Sequence, residues 1–476
     1  MTDRPSDSPG RLVLLVRRVA GDRAAVPGSL AELRGSETVK AVGLAGAMIV
    51  NNVIALGSTI IFSRLLKDSQ GGGYGSLAAL VSYFLILSVV GQAMQVATAR
   101  EGVLGHLGVG AGLMATVRRW TRGLLLFTVA LTVVSVLLRD PIAHAVGNGI
   151  DPWAAALGLP AAGLWLELSV LRGVLQGVGD YKGVGLSLIG EQSARLITGA
   201  ILAAAGLGVT GAYLGSPLSF IAMSLYCVYR LRQHVLQVES EPLAAVSEAP
   251  PAALSLWDHV KRAWAPIAGL IIIAVLQNID IIAAKHRFNT HTASSYGAVA
   301  VAGKVLIWVA MGAGFYLVPE VSRLRAAGKD PRPILARALG IVAICSIPVL
   351  LIFAVASHVL IKAAFGASKT SAANSLLFLG LAFTVLACTY LAIQYMLALR
   401  RTWFLVLLGA IAVAEPILLL NASHQPRSFA LVVLAIQAVA ALVAFACALR
   451  PDRSPPPPTG PPRRVSESER VPEPVV

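Results

Sequence analysis

The feature that most constrains this chain is a series of apolar stretches, each long enough to cross a lipid bilayer. A membrane-spanning helix needs roughly 20 predominantly apolar residues. Charged residues make up only 13% of the chain, about half the share found in a soluble domain. The stretches are 41–62, 75–98, 121–138, 153–176, 183–205, 209–230, 264–284, 297–318, 337–361, 371–398, 402–420 and 428–449. The sequence therefore predicts an all-α polytopic membrane protein with about twelve transmembrane helices.

The distribution of Lys and Arg residues predicts how the chain is oriented, because cytoplasmic loops are enriched in them. With both termini placed inside, the outer loops hold only eight of the 39 Lys and Arg residues. These eight are Arg64, Lys67, Arg139, Lys285, Arg287, Lys362, Lys369 and Arg427. We therefore expect a multi-pass protein of the cytoplasmic membrane with both termini in the cytoplasm. The net charge of +15 reflects this topology, so the lipid bilayer is an expected partner and nucleic acid is not.

A polar segment divides the stretches into two sets of six. It covers 232–262 and predicts a cytoplasmic linker between a first six-helix lobe, 41–231, and a second, 263–449. Residues 1–40 form a basic cytoplasmic N-terminal segment in this scheme. Residues 450–476 are rich in Pro and polar residues, which cannot pack a core, and they predict a disordered cytoplasmic tail.

The two halves also resemble each other in sequence. ETVKAVGLAG (37–46) is matched by DHVKRAWAPI (258–267), and a Tyr-Gly pair begins the second stretch of each half, at Tyr74 and Tyr296. Weak self-similarity of this kind is typical of transporters built from internal repeats. Because each half has six spans, both halves share one orientation, and their relating axis runs along the membrane normal.

Nothing in the sequence predicts enzymatic chemistry. The outer loops are too short to form a catalytic domain, and the eight His residues lack the spacing of a metal site. The glycine-rich segment 175–185 does not have the spacing of a phosphate-binding loop, so we interpret it as close helix packing followed by a tight turn. We expect no enzyme activity, no metal site and no cofactor.

Ionisable residues inside spans usually face a cavity or a partner, because burying them in hydrocarbon is costly. The fourth stretch carries Glu167, Arg172 and Gln176, and the fifth carries Glu191 and Arg195 on one helix face. Two interpretations are open. The charges form a closed structural set of ion pairs, or they form the polar wall of a central cavity where Arg binds phosphate oxygens.

The second half has its own polar residues, Asn278 and Asp280 in the seventh stretch and Lys304 in the eighth. Lys304 lies on the order of 12 Å from the outer side, within reach of Asp280. A structural salt bridge and a charge switch at an outer gate are both consistent with this spacing. At the repeat position of Asp280, sixteen residues before Tyr-Gly, the first half has Ser58.

Two further spans contain polar residues. The Asn51-Asn52 pair is suited to capping or bending the first helix. Glu415-Pro416 combines an intramembrane acid with a helix breaker. Glu415 is therefore a candidate for coupling to a proton or to Na⁺.

The order and spacing of several segments resemble a known family. IIFSRLLKDSQGGGYGSLAALVSYFLIL (60–87) resembles the first hairpin of polysaccharide flippases, and LRGVLQGVGDYKGVGLS (171–187) resembles their turn between spans four and five. NIDIIAAKHRFNTHTASSYGAVAVAGKVL (278–306), followed by VPEVSRL (318–324), is similar to the start of their second half. Over roughly 37–450, the chain resembles the oligosaccharide flippase branch of the multidrug/oligosaccharidyl-lipid/polysaccharide (MOP) exporter superfamily.

The resemblance implies two lobes around a central cavity that opens alternately to either side. It also implies a polyprenyl-diphosphate-linked oligosaccharide as cargo, moved from the inner to the outer leaflet in polysaccharide biosynthesis, with polysaccharide assembly proteins as further partners. The expected cargo ligands are Arg172, Arg195, Lys304, Asn52 and Gln176. The expected gating or ion-coupling residues are Glu167, Glu191, Asn278, Asp280 and Glu415. The alternatives are a cation-coupled multidrug exporter on the same fold, and a non-transporting membrane scaffold that recruits partners through its tail.

Overall fold

A computed structural model of the chain describes residues 37–66, 73–108, 110–239, 261 and 264–450. Every regular element in these ranges is a helix. The first lobe contains α1 (Glu37–Leu65), α2 (Gly73–Val103), α3 (Ala111–Leu137), α4 (Arg139–Val146), α5 (Pro152–Ala156), α6 (Gly158–Gly177), α7 (Tyr181–Leu202) and α8 (Gly208–Glu239). The second contains α9 (Trp264–Arg287), α10 (Thr290–Ala326), α11 (Arg332–Phe365), α12 (Leu376–Ala398), α13 (Phe404–Leu420) and α14 (Pro426–Ala448). The predicted tail and most of the predicted N-terminal segment and linker lie outside the described residues.

Each of the twelve predicted stretches has a helix. Ten segments are long and apolar enough to span a membrane. One of them, 181–236, holds both α7 and α8, which pack antiparallel across a π-helical turn at Ala203–Leu207. The shorter apolar helix α13 is the twelfth. The all-α, twelve-helix prediction is therefore confirmed, because apolar chain in lipid must satisfy its backbone hydrogen bonds within helices.

Several local expectations differ from the structure. Pro416 does not break α13, which continues to Leu420, since neighbouring helices hold a segment that has lost one backbone donor. Likewise α1 is helical through the Asn51-Asn52 pair. The helix α8 extends to Glu239, into the predicted linker, and the predicted outer loop 139–152 contains the short helix α4.

Small residues let the helices within a lobe approach closely. In the first lobe α2 packs along α6, and α7 packs along α8 and α1. A Cβ added at Gly173 would lie 2.5 Å from the Gln95 carbonyl oxygen, and one at Gly177 would lie 2.6 Å from Gly102 Cα. The predicted close packing of the glycine-rich segment is therefore confirmed at its start. Its turn is also tight, because Asp180 accepts a hydrogen bond from the Gly183 backbone N–H at 2.9 Å.

The two lobes meet where α2 packs against α9 and α10, and where α1 contacts α10 and α11. At the end of the bundle opposite the termini, α2 and α10 cross at their first turns, where Gly75 donates its backbone N–H to Ser294 Oγ at 3.0 Å. A Cβ added at Gly75 would lie 2.9 Å from the Ser294 backbone nitrogen. From the other lobe, a Cβ on Gly297 would meet the Ala78 Cβ at 3.1 Å. The glycines of both Tyr-Gly pairs thus form one pseudo-symmetric interlobe contact.

A second pair of contacts follows the same symmetry. Arg64 donates to the carbonyl oxygens of Ala363, at 2.6 Å, and Ala364, at 2.9 Å, which are exposed at the C-terminal end of α11. His286 occupies the same repeat position as Arg64, ten residues before its Tyr-Gly. Its Nε2 lies 3.2 Å from the Ala145 carbonyl oxygen, at the C-terminal end of α4. We call these contacts, together with Gly75 and Gly297, the interlobe seal.

Candidate functional site

A small cavity of about 80 Å³ lies between the lobes directly beneath the interlobe seal. Four of its walls are α1, α2, α9 and α10, and α7 contributes Arg195. The lining side chains are Ser58, Thr59, Phe62, Tyr74, Leu77, Ala78, Val81, Ser82, Leu85, Arg195, Asn278, Ile281, Val301 and Lys304. This set combines cations from both lobes, and it contains no acidic residue from the described part of the chain. The cationic side chains at the cavity wall are therefore Arg195, from the first lobe, and Lys304, from the second.

In the second lobe, Lys304 is held by two of the predicted residues. Its Nζ lies 3.3 Å from Asp280 Oδ1 and 3.4 Å from Asn278 Oδ1. The Tyr296 hydroxyl donates to the other Asp280 oxygen at 3.2 Å. Asp280 is fully buried, whereas Lys304 keeps 8% of its surface exposed and borders the cavity. The carboxylate therefore positions Lys304 at the cavity wall without lining the cavity itself.

Glu415 extends this cluster away from the cavity. Its Oε1 accepts a hydrogen bond from Gln437 Nε2 at 3.1 Å, and the same nitrogen donates to the Leu276 carbonyl oxygen at 2.8 Å. The other carboxyl oxygen, Oε2, is buried and has no hydrogen-bond partner. Asp280 and Lys304 are close enough to act on Glu415 electrostatically. Asn278, Asp280 and Lys304 thus form one hydrogen-bonded cluster. Glu415 is joined to the same helix, α9, through Gln437 and the Leu276 carbonyl oxygen.

In the first lobe, Arg195 borders the cavity and Arg172 does not. The Arg195 guanidinium is partly buried and makes no hydrogen bond or ion pair within the described ranges. Arg172 is fully buried. It pairs with Glu191 at 2.9 Å and donates to Ser187 Oγ and the Ser187 carbonyl oxygen, both at 2.8 Å. Arg172 thus fits the interpretation as a closed structural ion pair, whereas Arg195 has the position of a residue in a polar cavity wall.

The other three predicted residues of the first lobe lie outside the cavity wall. Glu167 is 5% exposed on α6, and no hydrogen bond joins its carboxylate to the described residues. Gln176 lies in the last turn of α6, beside the connection to α7. Asn52 is partly buried on α1, where its Oδ1 accepts a long hydrogen bond from Asn51 Nδ2 at 3.4 Å. The structure does not bring these residues to Arg195 and Lys304.

Sequence reasoning missed three hydroxyl residues of the cavity wall, Ser58, Thr59 and Ser82. Serine and threonine are common in spans and carry no charge, so composition gives no signal for them. The internal repeat, however, does give a sequence signal for Ser82. It stands eight residues after Tyr74, and Lys304 stands eight residues after Tyr296.

Among the described residues, no group of three or more His, Cys, Asp and Glu side chains could hold a metal ion. A second cleft lies at the end of the bundle near the termini and contains Asp180, Arg230 and His234. Its acid and its arginine are already paired at 2.9 Å, which indicates a structural role for the cleft.

No family model matches this sequence, and no curated protein matches it. Its fold, however, is similar to solved structures. A multidrug resistance MATE family transporter of the MOP superfamily, in an inward-facing conformation, matches with a TM-score of 0.62 and 16% identity, over 86% of this chain and 97% of that one. Lipid II flippase MurJ, in an inward closed conformation, matches with a TM-score of 0.64 and 13% identity, over 85% of this chain and 87% of that one.

A third solved structure, a MATE transporter in the bent conformation, matches with a TM-score of 0.53 and 16% identity, over 87% of this chain and 95% of that one. Identities this low establish the fold alone. The chain is a multi-pass membrane protein with the two-lobed fold of the MOP-superfamily transporters.

Proposed function

We propose that the protein is a flippase that moves a lipid-diphosphate-linked oligosaccharide from the inner to the outer leaflet of the cytoplasmic membrane. The observation that carries this proposal is that Arg195, from the first lobe, and Lys304, from the second, line the same interlobe cavity. A diphosphate has to lose water to cross hydrocarbon, and fixed cations offset that cost. The solved flippase MurJ has the same fold, which supports a lipid-linked cargo.

The cavity is closed down in this conformation. Its volume is about 80 Å³, whereas ligand pockets span roughly 300–1,000 Å³. The lobes therefore have to separate before a diphosphate and its saccharide can enter. We propose that the lobes rock about the interlobe seal, so that the cargo enters from the end near the termini and leaves when the seal opens. The positive-inside distribution of charge supports a cytoplasmic position for that entry end.

The buried acids of the second lobe are the proposed coupling element. Asp280 and Glu415 lie beside Lys304 but outside the cavity wall. A proton or a Na⁺ that binds there would weaken the hold of Asp280 on Lys304 and change the charge that the cargo meets. Coupling of this kind works through differential affinity in two conformations.

Transport on reconstitution tests the proposal. The purified full chain is placed in proteoliposomes with a fluorescent short-chain polyprenyl-diphosphate saccharide, and the fraction of label in each leaflet is followed with an impermeant quencher. We expect wild-type protein to exchange the label between leaflets, and Arg195→Gln and Lys304→Gln to lose most of this activity. Exchange that is unaffected in both variants would show that the cationic cavity does not bind the cargo.

The second candidate is a cation-coupled multidrug exporter. It is favoured by the fold shared with a multidrug resistance transporter and by the buried acids near Lys304. That function predicts an acid-lined, aromatic-rich cavity, whereas the aromatic side chains among the described lining residues are Phe62 and Tyr74. Uptake of a lipophilic cation such as ethidium into the same proteoliposomes separates the two. Uptake of ethidium without exchange of the saccharide lipid would replace the first proposal by the second.

A further inference from the structure

The internal repeat relates two residues of the cavity wall. Lys304 stands eight residues after the Tyr-Gly of the second half, and Ser82 stands eight residues after that of the first. Both border the cavity, on α10 and α2. Asp280 and Ser58 are related in the same way, each sixteen residues before its Tyr-Gly. The positions of the ion pair in the second half are therefore occupied by two serines in the first half.

The hydroxyl of Ser82 has no hydrogen-bond partner within the described ranges and borders the cavity. A buried serine hydroxyl in a helix normally donates to a backbone carbonyl three or four residues earlier. Ser58 does so to Ile54 at 2.8 Å, and Ser88 does so to Leu85 at 2.9 Å. Ser82 is only 2% exposed, yet its side chain makes no hydrogen bond within the described ranges. Because Ser82 borders the cavity, a ligand there would supply the partner.

We propose that Ser82 is a specificity-determining ligand of the cargo, an inference that rests on the proposed function. Its hydroxyl donates a hydrogen bond to an oxygen of the phosphate or diphosphate group that Arg195 and Lys304 hold by charge. At the two repeat-related positions, the first lobe thus offers an uncharged hydroxyl at Ser82, and the second lobe offers the Lys304 charge that Asp280 balances. This asymmetry keeps the site from binding the anion so tightly that release becomes slow.

Binding of a defined probe tests the inference. The full-length purified protein in detergent is titrated with farnesyl diphosphate, with the uncharged farnesol as the reference for tail binding alone. We expect Ser82→Ala to weaken diphosphate binding roughly tenfold or more, as expected for a lost hydrogen bond to a charged group, with farnesol binding unchanged. Ser82→Thr keeps the hydroxyl and should restore most of the affinity.

The matched control is Ser88→Ala, the same substitution on the same helix at a serine that bonds within its own helix. Equal affinities in Ser82→Ala and Ser88→Ala, with Arg195→Gln and Lys304→Gln both weakened, would overturn the role of Ser82 and leave the proposed function intact. Unchanged affinity in all four variants, or no binding of the diphosphate to wild-type protein, would overturn both. Thermal unfolding without probe identifies any variant that is misfolded.

Adding a positive charge at position 82 is a second test of contact with the anion. Ser82→Lys adds a third cation to the cavity wall, at the position that the repeat relates to Lys304. We expect it to bind farnesyl diphosphate more tightly than wild type while exchanging the saccharide lipid more slowly in proteoliposomes. Weaker binding by Ser82→Lys in a folded protein would contradict a position in contact with the anion.

Discussion

Asp280 and Lys304 form an ion pair inside the second lobe, with 3.3 Å between Lys304 Nζ and Asp280 Oδ1. The two residues lie on adjacent helices, α9 and α10, and Tyr296 holds the second carboxylate oxygen. The acid is enclosed and the base borders the cavity. The pair therefore contributes both to the packing of the second lobe and to the proposed cargo site.

Breaking this pair should be severe, and reversing it should be milder. Asp280→Asn leaves a buried cation without its counter-charge, a change that costs about 3–5 kcal/mol in buried pairs. We expect a lower unfolding temperature and loss of export. The combined exchange Asp280→Lys with Lys304→Asp should recover stability if the pair is structural, and export as well if only the pairing matters. Asp140→Asn, in an exposed pair, is the control and should change nothing measurable.

The two arginines of the first lobe should separate stability from transport. Arg172→Gln removes a fully buried partner of Glu191, so we expect a loss of stability of about 3–5 kcal/mol. Arg195→Gln removes a cavity side chain without a protein partner, so we expect reduced exchange of the saccharide lipid with near-normal thermal unfolding. The reverse pattern, with a stable Arg172→Gln protein that cannot transport, would assign cargo binding to Arg172.

The seal should fail when its backbone contact is blocked. In Gly75→Ala, the new Cβ would lie 2.9 Å from a backbone nitrogen of the other lobe, so the lobes cannot close fully. A cysteine at Thr59, in a protein whose four native cysteines are replaced, reports access to the cavity. We expect an impermeant maleimide added on the side opposite the termini to label it faster in Gly75→Ala. Gly57→Ala, on α1 with open space around it, should label like wild type.

Arg64 should contribute to the same closure by a different contact. Its guanidinium binds the free carbonyl oxygens at the end of α11 in the other lobe, where positive charge is favoured. Arg64→Gln should raise the rate of maleimide labelling less than Gly75→Ala does, because the contact is exposed and screened by water. Arg139→Gln is the comparison, since the contacts of Arg139 with Asp140 and Trp153 stay within one lobe. Equal maleimide labelling rates in Arg64→Gln and Arg139→Gln would show that the Arg64 contact does not help to hold the lobes closed.

Deleting 451–476 distinguishes a transporter from a scaffold. The proposed transport machinery lies within 37–450, so the shortened protein should exchange the saccharide lipid at the wild-type rate in proteoliposomes. Surface polysaccharide in cells should also persist. Loss of both activities in a protein that still inserts and folds would favour the scaffold function of the tail.

Much of the fold could be predicted because each apolar stretch has only one way to satisfy its backbone. In hydrocarbon, the N–H and C=O groups of a stretch such as 371–398 must bond within a helix, so length and apolarity suffice to predict it. Pro416 shows the limit of local rules, since a proline that ends a helix in water is accommodated inside a packed bundle. The pair of Tyr74-Gly75 with Tyr296-Gly297 also predicted the repeat that the interlobe seal follows.

What the sequence by itself determined was the number of membrane-spanning helices, their order and the depth of each polar residue along its helix. Depth follows from the rise per residue, and it correctly brought Asp280 within reach of Lys304. Only the tertiary structure decided which way each side chain faces. A helix that is apolar on every side carries no stripe to mark its inner face, so Arg172 and Arg195 are equivalent until their neighbours are known. Packing enclosed Arg172 with Glu191, left Arg195 at the cavity and placed the uncharged Ser82 in the same cavity wall as Lys304.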